Sequence, residues 1–556
     1  MSLQNVEKIE QTKVSDNKRE IAVIGISCRF PGAENYIQYW EILKQGSVTV
    51  TEVPRDRWDW REYWGDPTSN GNKTNSRWGG FLSNIDTFDT QFFSMSNREV
   101  EVVDPQQRIM LEVAWSCLED AYIIPSSLSG KKVGVFIGTF NYDYKEIYEK
   151  NPDIIEAYQA TGMSPAVIAN RISHFFGFTG PSIALDTACS SSLNAIHLAA
   201  QSLRTGECSI AMAGGVNLLL TPTRHISFSK AGLMSPTGSC KSFDHRADGY
   251  VRSEGAAIIL LKPLADALRD GDRIFGLIKG TAVNHCGKTH TLTYPSSASQ
   301  ADVIREAIER SGIATETISY VEAHGTGTPK GDPIEMAGLI EAFGKTDNEP
   351  FCAVGSVKGN IGHLEASAGI AGTIKVLLAM QHKQLPPLPH FEKLNPKISL
   401  ENTPFFMVDH LQEWNAPRHG EQLLARRAGV SSFGFGGTNA HIVLEESPNI
   451  ELVRSKPQPY YLIAVSGKSL PALQRNCEAL ADWLQERADQ IELSDLSGCL
   501  LAGRTHFKHR AAFIAKSVED VISNLRKETI STQEANSNTA DRTRKLMEGL
   551  AKQLLA

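Results

Sequence analysis

Several features that would declare a class are missing from this sequence. The nine cysteines (Cys28, Cys117, Cys189, Cys208, Cys240, Cys286, Cys352, Cys477 and Cys499) contain no CxxC pair and are odd in number. That argues against a disulfide scaffold and for a reducing, cytoplasmic setting. No run approaches the ~20 apolar residues needed to cross a bilayer, and AAIILLKPL is broken by Lys262 and Pro263. The opening MSLQNVEKIEQTKVSDNKRE lacks the apolar centre of a signal peptide. An excess of cations is missing too: 63 Asp and Glu outnumber 56 Lys and Arg, so no global positive field awaits a nucleic acid. The glycine-rich loops GISCRFPGA and SSFGFGGTNAH match neither GxGxxG nor a phosphate loop, which removes nucleotide binding. No GxSxG segment reads as an acyltransferase, and no carrier-protein serine motif is evident.

What is present is globular. Hydrophobic residues make up 41% and charged residues 21%, and 556 residues exceed what one core usually serves. Residues 1–18 are a polar leader. EIAVIGISCRF then opens the folded body as a buried, parallel-type strand. Short apolar runs (KVGVFIGT, SIALDTA, SIAMAGGVNLLL, SYVEAHG, FCAVGSV, HIVLEE) alternate with helical patterns such as QQRIMLEVAWSCLEDA and ADVIREAIERSGI, an α/β rhythm without a fixed-period repeat. The body runs over 19–446. A proline-bearing linker at 447–459 precedes a second, smaller α/β unit at 460–556, whose helix-like end TRKLMEGLAKQLLA has no cap signal and suggests a longer parent chain.

Four segments carry chemistry. In DTACSSSL, Cys189 precedes a helical face of Leu193, Ile196, Ala200 and Leu203 that stops at Gly206. A thiol at a helix start meets unpaired N–H groups and the positive dipole end, which favour thiolate and offer an oxyanion site. An inert buried thiol is the competing reading. EAHGTGT puts His324 at the end of an apolar run, as a functional group or as a hydrogen-bonded pin. SVKGNIGHLEASAGIAG sets Lys358 and His363 ahead of an Ala/Gly-rich helix, whose composition suits close approach in the interior. Charges there need a partner or a use. SSFGFGGTNAH can turn backbone N–H groups toward a ligand or merely turn the chain. His285, Cys286 and His290 invite a zinc reading that fails for want of a fourth ligand nearby, so no metal is expected. Arg504, Lys508 and Arg510 in RTHFKHR form either a basic dock for an acidic partner or a solvated face.

In this order the segments resemble the ketosynthase domain of modular polyketide synthases, within the thiolase-like condensing enzymes, from about residue 19 to 446. DTACSSSL looks like the nucleophile motif, EAHGTGTPKGDPIE the first histidine motif, SVKGNIGHLEASAGIAG the Lys/His motif, and GFGGTNAHIVLEE the closing loop. AVIGISCRFPGA, DPQQRIMLE and SFSKAGLMSPTGSCKSFDHRADGYVRSEG are also family-like, and YLIAVSGKS through RAAFIA is similar to the subdomain flanking such ketosynthases. Gly359, where Ser or Thr is usual, and Val103, where Met is usual, depart from the pattern.

The resemblance implies a thiolase-like fold with a duplicated layered αβαβα core. It implies that Cys189 accepts an acyl chain from the phosphopantetheine of an acyl carrier protein and extends it by decarboxylative condensation with a malonyl-type unit. His324 and His363 then stabilise the extender oxygen, the N–H groups of Cys189 and Phe435 form the oxyanion hole, and Lys358 orders the cluster through Glu335. Thr326, Thr328, Asn360, Gly436 and Gly437 become substrate contacts. No cofactor is bound by the domain itself, and a homodimer within a larger synthase is expected. NHCGKTHTLTYPSSASQADVI looks closer to assembly lines served by a separate acyltransferase. Retention of Cys189, His324 and His363 argues against chain-length factors and non-elongating relatives, and no second cysteine in 431–446 suggests a thiolase. A cysteine-dependent thioester hydrolase and a non-extending acyl relay remain the alternatives.

Overall fold

A computed structural model describes residues 20–150, 155–420, 422–449 and 457–527. The polar leader, the middle of the linker and the stretch at 543–556 lie outside the described residues. The chain separates into two compact units, 1–117 with 130–448, and 118–129 with 449–556. The second unit therefore takes in 118–129, a stretch that sequence patterning assigns to the first. Its Glu119 carbonyl accepts a hydrogen bond from Arg504 Nη1 at 2.9 Å.

Within the first unit, eleven described strands form one hydrogen-bonded ladder built from the same motif used twice. The first half uses β1 (Ile21–Arg29), β2 (Val133–Gly138), β3 (Ser182–Leu185), β4 (Ile210–Asn217) and β5 (Gly255–Pro263). They lie in the order β3-β2-β4-β5-β1, the first three parallel and the last two antiparallel. The second half uses β6 (Gly276–His285), β7 (Tyr320–Glu322), β8 (Cys352–Gly355), β9 (Phe405–Met407), β10 (Arg427–Phe433) and β11 (Thr438–Glu446). Its order β8-β7-β10-β11-β6 repeats the first half in sequence, position and direction, with β9 added at the edge. The halves meet where β1 pairs with β6 over only three residues, Ile21 opposite Ile278 to Val23 opposite Gly276.

The run in β1 is antiparallel to both neighbours, not parallel as its continuous hydrophobicity suggests. Burial on both faces produces that hydrophobicity, and burial carries no information about strand direction.

Helices α1 (Ser191–Thr205), α2 (Gly331–Phe343) and α3 (Ala368–His382) position the chemistry. α1 follows β3 and α3 follows β8, equivalent places in the two halves. α1 packs on β2 and β4 of one half and on β6 and β11 of the other, while α3 packs on β7, β10 and β11, on β5, and on α1. Both are thus interior helices. The predicted apolar face of α1 is buried and Gly206 ends it in a left-handed cap. In α3 every residue from Ala368 to Met380 is buried.

The second unit pairs β12 (Tyr461–Gly467) antiparallel with β13 (His509–Ala515). Its helices α4 (Leu470–Arg487), α5 (Leu493–Ala502) and α6 (Val518–Leu525) close a small core around Ile463, Leu473, Cys477, Leu484 and Val521. No helix among the described residues is long and apolar enough to cross a membrane.

The close contact of α1 and α3 gives a direct test. A Cβ at Gly369 would sit 2.5 Å from Leu193 Cγ. Gly369→Val is expected to lose about 1–3 kcal/mol by overpacking, seen as a lower midpoint in thermal unfolding. Gly206→Ala, where a Cβ meets nothing but the backbone is left-handed at φ +77, is expected to lose about 1–2 kcal/mol from conformation alone.

Candidate active site

Cys189 lies in a single 3-10 turn, Ala188–Ser190, immediately before α1. Ala188 adopts φ +55, a left-handed conformation that non-glycine residues seldom take. Asp186 Oδ1 accepts from the Ala188 N–H at 2.8 Å and Ser191 Oγ from the Thr187 N–H at 2.9 Å, so the turn is braced on both sides. The closing loop locks over it: Ser432 Oγ donates to the Cys189 carbonyl at 2.7 Å. Gly434 lies so close that a Cβ would be 2.5 Å from the Thr187 carbonyl oxygen. The backbone N–H groups of Phe435 and of Cys189 itself favour the thiolate form of the sulfur.

His324 follows β7 at the carboxyl end of a parallel strand. Glu335 on α2 holds this bend: its two oxygens accept from the His324 N–H at 2.6 Å and from the Gly325 N–H at 2.7 Å. Asp332, one turn earlier on α2, accepts from the Gly327 N–H at 3.1 Å. Gly325 and Gly327 have φ +39 and +78, and a Cβ at Gly327 would meet the Lys241 backbone nitrogen at 2.6 Å. Glycine is therefore required on both counts. His324 is half-buried, with its Nδ1 buried and unpartnered, and its ring centroid stands 5.3 Å from that of His363, edge to face.

His363 lies beyond the short helix Lys358–Ile361 that follows β8. Its backbone N–H donates to the Val251 carbonyl at 2.7 Å, and its carbonyl accepts from the Ser253 N–H at 2.9 Å. Its Nδ1 accepts from the Glu365 N–H at 3.1 Å. An imidazole that accepts at Nδ1 and is neutral carries its proton on Nε2.

Burial sets the charge states. Both imidazoles are held well below the ordinary histidine value, first by desolvation and then by the Lys358 ammonium, with a further contribution from His363 at His324 and from Arg252 at His363. Lys358 is lowered by its own burial against the opposing fields of Glu322 and Glu335. Glu335 is pushed up to about 7, chiefly by desolvation, against the two N–H groups it accepts from. Cys189 departs from the sequence expectation. Desolvation, followed by the carboxylate of Glu365, pushes the thiol up to about 12, outweighing Lys358 and the two N–H groups that favour thiolate.

A cavity of about 450 Å³ brings Cys189, His324 and His363 together, with Thr326, Thr328, Glu335, Phe435 and Gly437 on its wall. Three proposed residues stand outside that lining. Lys358 is buried behind it and acts through its field, and Glu335 interacts with it by charge while hydrogen-bonding to the His324 turn. Asn360 is a structural residue: its side chain donates to the Ser47 carbonyl at 3.0 Å and its carbonyl accepts from the Thr49 N–H at 2.9 Å. Gly436 turns its carbonyl to His285 Nε2 at 3.0 Å.

The His285 segment makes no metal centre. Cys286 lies beside Asn439, His290 packs edge-on against Tyr294, and no metal-ligand cluster occurs among the described residues. Cys286, Leu292, Tyr294 and Gln300 instead line the cavity, a role their sequence pattern did not announce. In the second unit, Arg504 donates to the Glu119 and Gly503 carbonyls and Arg510 to those of Phe507 and His506. Two cations of RTHFKHR therefore brace backbone, while Lys508 is exposed.

A thiol at the start of one interior helix, with imidazoles gathered from the second half of a duplicated α/β core, defines a thiolase-like condensing enzyme. The chain belongs to the β-ketoacyl synthase family. Residues 18–267 match the beta-ketoacyl synthase N-terminal domain, 275–392 its C-terminal domain and 395–514 the ketoacyl-synthetase C-terminal extension. Over 94% of its length the chain is 48% identical to polyketide synthase ThaG of Burkholderia thailandensis, and over 91% it is 46% identical to PksN of Bacillus subtilis. It spans only 9% and 10% of those two relatives. Among solved structures it is similar to an oxazolomycin ketosynthase domain of Streptomyces albus, with a TM-score of 0.85, 39% identity, and 91% of this chain and 88% of that one covered. It is also similar to the ketosynthase from module 6 of the bacillaene synthase of Bacillus subtilis, with a TM-score of 0.83, 40% identity, and 96% and 91% covered. The family forms carbon–carbon bonds by Claisen condensation.

The raised thiol predicts a pH dependence. Only thiolate reacts with iodoacetamide, so modification of Cys189 followed by peptide mass spectrometry should keep rising up to about pH 10. A plateau below about pH 8 would mean a stabilised thiolate.

Proposed function

We propose that the chain is the chain-extending ketosynthase domain of a polyketide synthase. Cys189 receives an acyl group from the phosphopantetheine arm of an acyl carrier protein, then passes it to a malonyl-type extender on a second carrier. In the first step the Cys189 sulfur attacks the thioester carbonyl, the pantetheine sulfur leaves, and the thiol proton ends on that sulfur. In the second, the extender carboxylate leaves as carbon dioxide, the resulting enolate carbon attacks the Cys189 thioester, and the Cys189 sulfur departs as thiolate and takes up one proton from solvent.

One observation carries this reading. His363 is neutral, its Nδ1 is already occupied as an acceptor, and it shares a cavity with Cys189 and His324. The Nε2–H is therefore the donor available where decarboxylation builds negative charge on the extender oxygen, and His324 supplies the second donor. The tetrahedral oxygen at the Cys189 thioester goes to the N–H groups of Cys189 and Phe435. Thr326 and Thr328, whose hydroxyls lie 3.1 Å apart on the cavity wall, hold the pantetheine arm beside Gly437.

The resemblance of the Asn284–Ile304 segment to ketosynthases served by a separate acyltransferase supports that subtype. A homodimer is supported by β3, which ends the ladder with Ile183 43% exposed. Nine scattered cysteines without a CxxC pair favour a cytoplasmic setting.

With acyl-carrier and malonyl-carrier supplied together, the protein should release carbon dioxide and form β-ketoacyl-carrier, and Cys189→Ala should form none. His363→Ala should still be acylated at Cys189 while carbon dioxide release falls about 10²–10³-fold. Steady release of free acid without malonyl-carrier would identify a hydrolase, and acylation without decarboxylation a relay. Light scattering at micromolar concentration should report a dimer, and a monomer would remove that assignment.

A further inference from the structure

Arg252 and Glu365 form a fully buried ion pair beside the cavity, and neither belongs to the set of residues assigned above. Arg252 Nε donates to Glu365 Oε1 at 2.6 Å and Nη2 to Oε2 at 2.9 Å, with both side chains at most 1% exposed. Asn141 Nδ2 adds a third donor to Oε2 at 2.8 Å, and Arg252 Nη1 approaches His225 Nδ1 at 3.2 Å. Such a pair stabilises a fold weakly at best, because desolvation offsets most of its attraction. Its placement asks for another explanation.

Arg252 lies between the two residues, Val251 and Ser253, whose backbone groups bond the N–H and the carbonyl of His363. Glu365 holds φ +49, a left-handed conformation unfavourable for its residue type, and in that conformation its N–H reaches His363 Nδ1. The three hydrogen bonds to its carboxylate keep it there. One segment thus grips His363 by its backbone, and the same segment's guanidinium, through Glu365, grips the imidazole.

We propose that Arg252 and Glu365 are positioning residues that fix the His363 tautomer with Nε2–H toward the cavity. This rests on the proposed condensation. The charged and titratable groups around the two reacting residues are Glu365 and Lys358 at Cys189, and Lys358, Arg252 and His324 at His363, with Tyr250 beside both. Desolvation raises the Cys189 thiol most and the Glu365 carboxylate adds to it, so removing that charge lowers the thiol value and increases thiolate at a fixed pH. Two effects of opposite sign follow from one residue, whereas general damage to the fold lowers both.

The test uses Glu365→Gln and Glu365→Asp, with circular dichroism and thermal unfolding as controls. Carbon dioxide release from malonyl-carrier on the acylated protein should fall about 10²-fold in both. Iodoacetamide modification of Cys189 at pH 8 should rise several-fold in Glu365→Gln and stay near the parent rate in Glu365→Asp. Unchanged decarboxylation, or a parallel fall of both rates, overturns the proposal. If Glu365→Gln does not fold, the decarboxylation rate of Glu365→Asp decides. On the unsubstituted protein, nitrogen-15 NMR of labelled histidine should find Nδ1 of His363 unprotonated, and a protonated Nδ1 also overturns it. If the unsubstituted protein releases no carbon dioxide at all, the condensation reading fails while the NMR result still judges the tautomer.

Discussion

The first turns of α1 and α3 meet at the centre of the first unit, where Ser192 Oγ accepts a hydrogen bond from the Ile370 N–H at 3.0 Å. Everything chemical hangs on that meeting. A Cβ at Gly369 or Gly215 would hold the helices apart, since the first would be 2.5 Å from Leu193 and the second 2.9 Å from the Ala366 carbonyl. With glycine at both places, Cys189 ahead of one helix and His363 ahead of the other open onto the same cavity. The duplicated topology makes this natural: each half delivers one interior helix after its third strand, β3 in the first and β8 in the second, and the two helix starts face one another. His324 joins from the end of a neighbouring strand, as ligand sites at the carboxyl ends of parallel strands generally do.

That arrangement has an electrostatic consequence. The centre of the unit is largely buried, and desolvation is the largest influence on Cys189, His324, His363, Lys358 and Glu335 alike. It neutralises the imidazoles and the thiol, and leaves the Lys358 ammonium opposed by Glu322 and Glu335. A neutral imidazole donates one hydrogen bond from one nitrogen, so which nitrogen holds the proton matters more here than its average charge. Backbone geometry at Glu365 settles that for His363.

The parts of the site that were legible in sequence are those where residue type alone carries the chemistry: a thiol at a helix start, two histidines after apolar runs, and a glycine loop. Asn360 was misleading because it sits beside Lys358 in the same motif, yet its side chain turns to the Ser47 carbonyl. Gly437 reaches the cavity wall while its neighbour Gly436 serves as an acceptor for His285. One residue along a tight turn reverses direction, and sequence spacing does not resolve that. The basic stretch RTHFKHR shows a related limit of sequence: formal charge says nothing about whether a guanidinium points to water or, as in Arg510, to the Phe507 carbonyl 2.7 Å away.

Sequence alone determined the α/β class, the extent of α1 with its Gly206 stop, the interior character of α3 and the identity of the reactive groups, because hydrophobic period, cap residues and side-chain chemistry are local. Only the tertiary structure decided that β1 runs antiparallel to both its neighbours, that Arg252 and Glu365 pair behind His363, and that the Cys189 thiol is raised rather than lowered. Strand direction, ion pairing and desolvation all depend on which distant segments come together. A helix start favours thiolate by local geometry, but the protein packed around that start excludes the water a thiolate needs, and at Cys189 the exclusion of water is the larger effect.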